Sequence, residues 1–213
     1  MNPQTTVHPG ETLLLDEIQR SGRRTLHSRG DFLYRQGEEP ESFYYLEDGL
    51  VGLVTTGVSG RDHLVRLFRA RQFLSYRALL GHEPYHATAR VLDPSKVSRI
   101  SAARFWELTA LKPRILEFLA QTMARNLRRA ELAIGAATDQ SVTARVGESL
   151  VYLLEEYPEH PWTRQEIAEY VGSTTPTVFR VLAYLETRKL IRVERRKIVI
   201  LDRKALLSLN EED

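Results

Sequence analysis

The residues best suited to recognising another molecule lie in the C-terminal third of the chain, between Thr163 and Lys204. This segment holds ten Lys and Arg against five Asp and Glu, on a chain of 213 residues with a formal net charge of +2. Arg180 stands alone in it, a few residues after a run of hydroxyl side chains. A locally basic segment on a nearly neutral chain favours a polyanion as its partner.

Capping signals predict a short helix after Thr163. Thr163 and Glu166 have the spacing of a capping box, in which each side chain bonds a backbone N–H of the first turn. Ile167 and Val171 give this helix one apolar face. Gly172 suits the left-handed backbone that commonly ends a helix.

A second helix is predicted to start near Thr174. Ser173 or Thr174 caps it, and Pro176 fits its first turn, where a missing N–H costs nothing. Apolar runs at 191–194 and 198–201 then predict a hairpin. Together these elements indicate a helix-turn-helix with a basic wing. The alternative, an ordinary pair of packed helices, would not need a polar helix start followed by an isolated arginine.

A longer helix is predicted from about Pro113 to Thr138. Apolar residues recur along it in alternating steps of four and three, as in the a and d positions of a two-stranded coiled coil. This seam consists of Leu116, Ala120, Met123, Leu127, Ala130, Ile134 and Ala137. The pattern predicts a homodimer. A helix packed on its own domain is the alternative.

The region before this helix contains many glycines, and its short apolar runs predict short β-strands. Apolar runs at 43–46 and 50–54 flank a predicted turn at 47–49, and a last strand pair is predicted at 87–92 and 96–100. Regularly spaced short strands indicate an antiparallel sandwich or barrel. We therefore expect three regions, residues 1–112, 113–138 and 139–213.

Composition excludes several classes of protein. The sequence has no cysteine, which rules out disulfides, thiolate zinc sites and cysteine-ligated iron–sulfur clusters. It has no apolar run long enough to span a bilayer and no signal peptide, so we expect a cytoplasmic protein without a membrane partner. It also lacks the His-x-His of a cupin and the Gly-x-Ser-x-Gly elbow of a hydrolase. We therefore expect that the protein is not an enzyme. An adaptor with a degenerate helix-turn-helix remains an alternative that duplex DNA binding would test.

The motifs taken together resemble the Crp/Fnr family of bacterial transcription regulators over nearly all of residues 30–201. The N-terminal part of the match is Gly30-Asp31, Gln36-Gly37-Glu38, Phe43-Tyr44-Tyr45-Leu46 and Gly49. The C-terminal part is Thr163 to Ala168, Val171-Gly172-Ser173, Thr177-Val178, Arg180-Val181-Leu182, Leu185-Glu186 and Leu190-Ile191. The resemblance implies an α+β fold: a β-roll (jelly-roll) sensor domain like those that bind cyclic nucleotides, a dimerisation helix and a winged helix-turn-helix.

The resemblance also implies a function, a dimer whose two recognition helices enter successive major grooves of double-stranded DNA. Arg180 falls at the position that reads guanine, a role that a bidentate guanidinium suits. The remaining residues of the predicted interface are Thr163, Arg164, Gln165, Ser173, Thr175, Pro176 and Thr177, of which Thr163, Arg164, Gln165 and Thr177 match phosphate contacts. Two departures alter the expected target, because Thr175 and Pro176 replace a basic or polar reader and an acidic reader.

The sensor departs from the cyclic-nucleotide pattern of the family. Tyr76 stands at the ribose-binding glutamate, and Tyr85 and His86 replace the Arg-Ser pair that holds the phosphate. A buried phosphate without a charge partner is costly, so we expect an effector other than cyclic AMP, with Arg77 as a possible substitute partner for a phosphate.

The effector and the cofactor stay open at this point. Some relatives bind haem, and the candidate axial ligands here are His63, His82, Tyr85 and His86. A haem-based gas or redox sensor on the same fold is therefore the alternative function. RNA polymerase is expected as a partner if the protein activates transcription.

Overall fold

A computed structural model describes residues 7–138, 140–195 and 197–209, but not the side chains of residues 133, 134 and 136–138. The described part of the chain contains eight helices and eight strands. The elements in chain order are α1 (Pro9–Ser21), β1 (Arg23–His27), β2 (Phe32–Tyr34), β3 (Ser42–Thr56), β4 (Asp62–Arg69), β5 (Gln72–Leu74), α2 (Tyr76–Gly81), β6 (Thr88–Ser101), α3 (Ala102–Leu111), α4 (Arg114–Thr138), α5 (Val142–Glu156), α6 (Arg164–Val171), α7 (Thr175–Thr187), β7 (Ile191–Glu194), β8 (Lys197–Ile200) and α8 (Arg203–Leu207). They form two compact units. The first unit consists of the chain up to Val54 together with Arg66–Glu131. The second unit consists of Thr55–Val65 and the chain from Leu132 onward.

The larger sheet has six strands in the order β1-β6-β3-β4, with β2 also paired to β6 and β5 to β3. The pairs β1–β6, β2–β6, β3–β5 and β3–β6 are antiparallel. Since antiparallel strands can follow one another through short turns, this topology fits the glycine-punctuated sequence. It confirms the predicted α+β class with an antiparallel N-terminal domain.

Two predicted turns in this sheet are wrong, because the chain passes through them as bulged strand. β3 continues across residues 47–49, and β6 continues across Asp93 and Pro94, where separate strands were expected. The register between the two strands shifts here, and Gly49 takes a φ of 98°. A Cβ on Gly49 would lie 2.6 Å from the Pro94 carbonyl oxygen, so close strand approach requires glycine at this position.

The core of this unit forms two clusters. One is built on the sheet and includes Tyr34, Tyr44 and Tyr85, and the other joins α1, α3 and the start of α4 to the sheet through Phe43 and Phe105. Helix α1 was not predicted from the sequence. His8 caps it by accepting a hydrogen bond from the Gly10 N–H, at 3.0 Å, and α1 buries Leu14 and Ile18.

Helix α4 packs one face into this unit and leaves a second apolar face open. Ile115, Phe118 and Leu119 are buried, while Met123 is 37% and Leu127 61% exposed. The two faces are about 100° apart around the helix, the angle of one residue step. Within the described residues, no helix is both long enough and apolar enough to cross a membrane.

The second unit contains the predicted helix-turn-helix and wing. Thr163 caps α6 in a complete capping box with Glu166, and Gly172 ends α6 in the left-handed conformation. Thr174, rather than Ser173, caps α7 by accepting from the Thr177 N–H. Strands β7 and β8 then form the antiparallel hairpin. The local capping signals therefore set the limits of both helices.

A buried hydrogen-bonded pair, His160 and Glu166, supports the start of α6. The His160 Nε2 lies 3.3 Å from the Glu166 Oε2, which also accepts from the Thr163 N–H and hydroxyl, both at 2.9 Å. Burial opposes ionisation of Glu166, but these hydrogen bonds outweigh it and lower its pKa from 4.5 to about 2. The charged carboxylate therefore stabilises the fold at neutral pH.

We predict that Glu166→Gln destabilises the winged-helix unit at pH 7 by about 1–3 kcal/mol, because it removes a charge that the fold prefers. Because the folded pKa lies below the unfolded value, the contribution is complete above about pH 4.5 and disappears as the pH falls towards about 2. Hydrogen exchange of α6 amides at pH 7 and pH 3 measures this difference. Glu159→Gln, in an exposed position of the preceding loop, should leave exchange unchanged. An equal effect of Glu166→Gln at both pH values would contradict the assignment.

Candidate nucleic-acid interface

The N-terminus of α6 presents the first group of predicted contact residues to solvent. Thr163, Arg164 and Gln165 are all exposed. The Thr163 hydroxyl is engaged in the capping box, and the Gln165 side-chain N–H donates to the Glu169 Oε1 at 2.9 Å. Arg164 is the cation of this group and could pair with a phosphate near the positive end of the helix dipole.

The start of α7 presents the second group. The Thr174 and Thr177 hydroxyl oxygens lie 2.9 Å apart, and the Arg180 Nη2 donates to the Thr177 hydroxyl at 3.3 Å. This chain of hydrogen bonds follows one side of the first turns and orients the exposed guanidinium. Thr175 and Pro176 are exposed beside it, whereas Ser173 is half-buried in the turn between the helices.

The charge distribution leaves two arginines without an anionic partner. Among the described residues, no carboxylate lies within ion-pairing distance of Arg164 or Arg180, whereas Arg192 pairs with Glu194 at 2.6 Å. Glu166 and Glu169 of α6 are buried. Arg164 and Arg180 therefore both contribute positive charge to this surface.

The wing adds charge beside α7. Lys197 is exposed at the start of β8, and Arg195 takes a φ of 53° in the turn of the hairpin. Arg196 lies outside the described residues. The basic wing predicted from the sequence is thus present as a hairpin, with its tip only partly described.

Sequence reasoning missed an aromatic residue on this surface. Phe179 is 55% exposed on α7, and the Arg164 guanidinium lies 5.2 Å from its ring centroid. The signal was available, since Phe179 follows Val178 and so falls outside the apolar stripe that α7 turns to the core.

In the sensor, Tyr76 is a buried part of the core. It is 4% exposed, and its hydroxyl oxygen lies 2.8 Å from the Asn126 Nδ2 and 3.2 Å from the Arg66 Nη2. Asn126 belongs to α4, so this contact joins α2 to the long helix. The sequence did not reveal Arg66 or Asn126, because both are distant from Tyr76 along the chain.

Tyr85 is likewise packed into the core. Its ring stacks on Tyr34 with centroids 3.7 Å apart, and its hydroxyl lies 3.4 Å from the Ser42 carbonyl oxygen. Burial, and next the neighbouring Tyr44, raise the pKa of Tyr85 well above its ordinary value. Tyr85 therefore stays a neutral phenol that fills space in the core.

Arg77 and His86 lie together at the surface. The Arg77 Nε donates to the His86 Nδ1 at 3.2 Å, and its Nη1 lies 3.4 Å from Glu83. Partial burial of the ring, and then the charge of Arg77, lower the pKa of His86. The structure brings these two predicted pocket residues together but engages Arg77 with protein partners.

Three of the four candidate haem ligands make contacts with other side chains. Tyr85 is buried against Tyr34, His86 accepts from Arg77, and His82 stacks on Trp106 with centroids 5.0 Å apart. His63 belongs to the other compact unit. In the described portion of the chain, no cluster of three or more His, Cys, Asp or Glu side chains has a metal-binding arrangement.

The predicted seam lies on the open face of α4. Leu116 is 38% exposed, Met123 and Leu127 are exposed as given above, and Ala120 and Ala130 are exposed. The side chains of Ile134 and Ala137 lie outside the described residues. The part of the seam that is described is an apolar strip along one side of the helix.

Comparison with known proteins yields two family models. Residues 25–111 match a cyclic nucleotide-binding domain, and residues 144–209 match a Crp-like helix-turn-helix domain. The chain is 30% identical over 169 residues to the cAMP-activated global transcriptional regulator CRP of Salmonella typhimurium, covering 75% of this chain and 80% of that protein. It is 25% identical over 189 residues to the transcriptional activator Anr of Pseudomonas protegens, covering 84% and 76%.

Solved structures share the fold. The c-di-GMP responsive regulator CLP of Xanthomonas campestris superposes with a TM-score of 0.78 at 20% identity, covering 87% of this chain and 97% of CLP. A CRP-family regulator from Thermus thermophilus gives a TM-score of 0.74 at 25% identity, covering 89% and 97%. With both domain models matched in order and with this similarity to CRP, the chain belongs to the Crp/Fnr family of DNA-binding transcription regulators.

Proposed function

We propose that the protein is a homodimer that reads a palindromic DNA operator through α7, the helix capped by Thr174. The observation that carries this proposal is the Thr174–Thr177–Arg180 hydrogen-bond chain, which holds an unpaired guanidinium on the exposed face of α7. A guanidinium fixed in this way can donate to the O6 and N7 of guanine. Thr163, Arg164, Gln165 and Thr177 hold phosphates, and Ser173, Thr175 and Pro176 line the approach to the bases.

The open face of α4 supports the dimer. Its exposed apolar residues alternate at coiled-coil spacing, and a second copy packed on them would remove them from water. A dimer carries two copies of α7, one for each of two half-sites about one helical turn apart. In this account residues 1–112 form the sensor, 113–138 the dimerisation helix and 139–213 the DNA-binding domain. As a DNA-binding regulator the protein acts in the cytoplasm, and it contacts RNA polymerase if it activates transcription.

We further propose that the effector is a molecule other than cyclic AMP. Tyr76 and Tyr85 occupy the positions that contact the ribose and phosphate in the family pattern, and both are buried in the core. Arg66 donates to the Tyr76 hydroxyl and also lies over the Phe68 ring, 4.4 Å from its centroid. Binding a phosphate there would require these aromatic contacts to break. Within the described residues, the candidate haem ligands Tyr85, His86 and His82 contact protein side chains.

Arg180→Ala should abolish preference for the operator over random DNA and leave the fold intact. Losing a bidentate guanine contact costs about 1–3 kcal/mol per half-site. Arg164→Ala should instead weaken binding to both kinds of DNA and reduce the salt dependence, because it removes a phosphate contact. Fluorescence anisotropy at several salt concentrations measures both effects. If Arg180→Ala weakened both kinds of DNA equally, Arg180 would be a phosphate contact and the proposed base reading would be wrong.

Leu127→Asp should convert the dimer to monomers, because it places two aspartates, one from each copy, opposite each other in an apolar seam. Operator affinity should collapse with it, since one half-site binds weakly alone. Sedimentation velocity at micromolar concentration measures the oligomeric state. Gln121→Asp places the same charge on an exposed position of α4 well off the seam and should leave the dimer unchanged. If the Leu127→Asp protein remained a dimer, the interface would have to lie on another face.

Cyclic AMP and cyclic GMP should show no saturable binding up to about millimolar concentration, where the free energy of binding is only about −4 kcal/mol. Isothermal titration calorimetry on the full-length protein tests this. A micromolar isotherm would show that the tyrosines give way to the nucleotide. Arg66→Ala and Arg77→Ala would then identify the cation that holds the phosphate.

A further inference from the structure

Phe179 is an aromatic side chain that the fold of its own domain does not use. The core stripe of α7 consists of Val178, Val181, Leu182 and Leu185, all buried. Phe179 points away from this stripe and keeps 55% of its surface exposed. Leaving a large apolar ring in water gains nothing for the folded monomer. Its position therefore suits a partner.

The position of Phe179 on α7 is that of a base reader. It follows Thr175 by four residues and Pro176 by three, so it lies directly above both on the same side of the helix. It also directly precedes Arg180. Phe179 thus lies within the exposed surface that the proposed function assigns to the major groove.

Arg164 holds the ring in place from the neighbouring helix. Its guanidinium lies 5.2 Å from the ring centroid, a cation–π contact between the first residue of α6 and α7. An arginine bound to phosphate on one side and stacked on Phe179 on the other would fix the ring at the entrance of the groove. The rest of the ring stays open beside Pro176.

Of the groups at the base edges of the major groove, the 5-methyl of thymine is the apolar one. Phe179 and Pro176 offer no hydrogen bond to the polar edges of adenine, guanine or cytosine. We propose that Phe179 contacts the methyl group of a thymine next to the guanine that Arg180 reads, and so makes that thymine part of the operator. This inference rests on the proposed function, because it requires α7 to lie in the groove.

The experiment removes one methyl group at a time. The full-length protein first selects its preferred sequence from a pool of random duplexes, and each thymine is then replaced by uracil, symmetrically in both half-sites. One position should lose about fourfold in affinity per half-site, and so about fifteenfold over the whole operator, as expected for about 0.8 kcal/mol per buried methyl. In the Phe179→Ala protein the same uracil operator should bind as well as the thymine operator.

Two variants make the result specific. Phe179→Leu keeps an apolar side chain and should retain most of the sensitivity to the methyl group, and Pro176→Ala should retain all of it. Phe179→Ala should still prefer guanine at the Arg180 position and stay folded, since the ring lies outside the core. An operator insensitive to uracil, or a sensitivity that persists in Phe179→Ala, would overturn the inference while leaving the proposed function intact. A selection that enriches no sequence would overturn both.

Discussion

Helix α4 has two apolar faces and can bury one of them within its own chain. Ile115, Phe118 and Leu119 pack into the sensor unit, and this fixes the rotation of the helix. Met123 and Leu127 are then left in water. The proposed dimer follows from this geometry, because a second copy offers the same strip in a two-fold arrangement. Symmetric reading of DNA depends in turn on that dimer.

The proposed change of effector concerns a domain whose fold is that of the family. The chain matches a cyclic nucleotide-binding domain, and its relative CRP is cAMP-activated. In the proposed alignment, Tyr76 and Tyr85 stand at the nucleotide contacts. Both are buried, and Tyr76 is hydrogen-bonded to Asn126 of α4. A ligand that displaced Tyr76 would break a contact with the helix that carries the proposed dimer seam.

The sequence predicted best those features that depend on interactions between residues close together in the chain. Thr163, Glu166 and Gly172 specify the ends of α6 through hydrogen bonds within a few residues of one another, and these predictions are confirmed. The turn expected at Gly49 was wrong, because the same glycine serves a bulge when another strand lies close to it. Whether a glycine makes a turn or a bulge depends on that distant partner, which local patterns do not contain.

Contacts between distant parts of the chain account for most of what was missed in the candidate site. Arg66 and Asn126 meet at Tyr76 from 10 and 50 residues away along the chain. The base and phosphate contacts assigned to Arg180 and Arg164 remain predictions, since they concern a partner molecule. The fold places both guanidinium groups on one exposed surface, and only DNA can test what they bind.

The most direct test of a dimer on a palindromic operator is a change in the distance between its half-sites. Affinity of the full-length protein is measured for the selected operator and for duplexes with about 5 base pairs, half a helical turn, inserted at the centre. The insertion should turn one half-site away from its copy of α7, and the affinity for the duplex should fall to that for a single half-site. Replacing central base pairs without changing the length should have a much smaller effect. Equal affinity at both spacings would contradict the account.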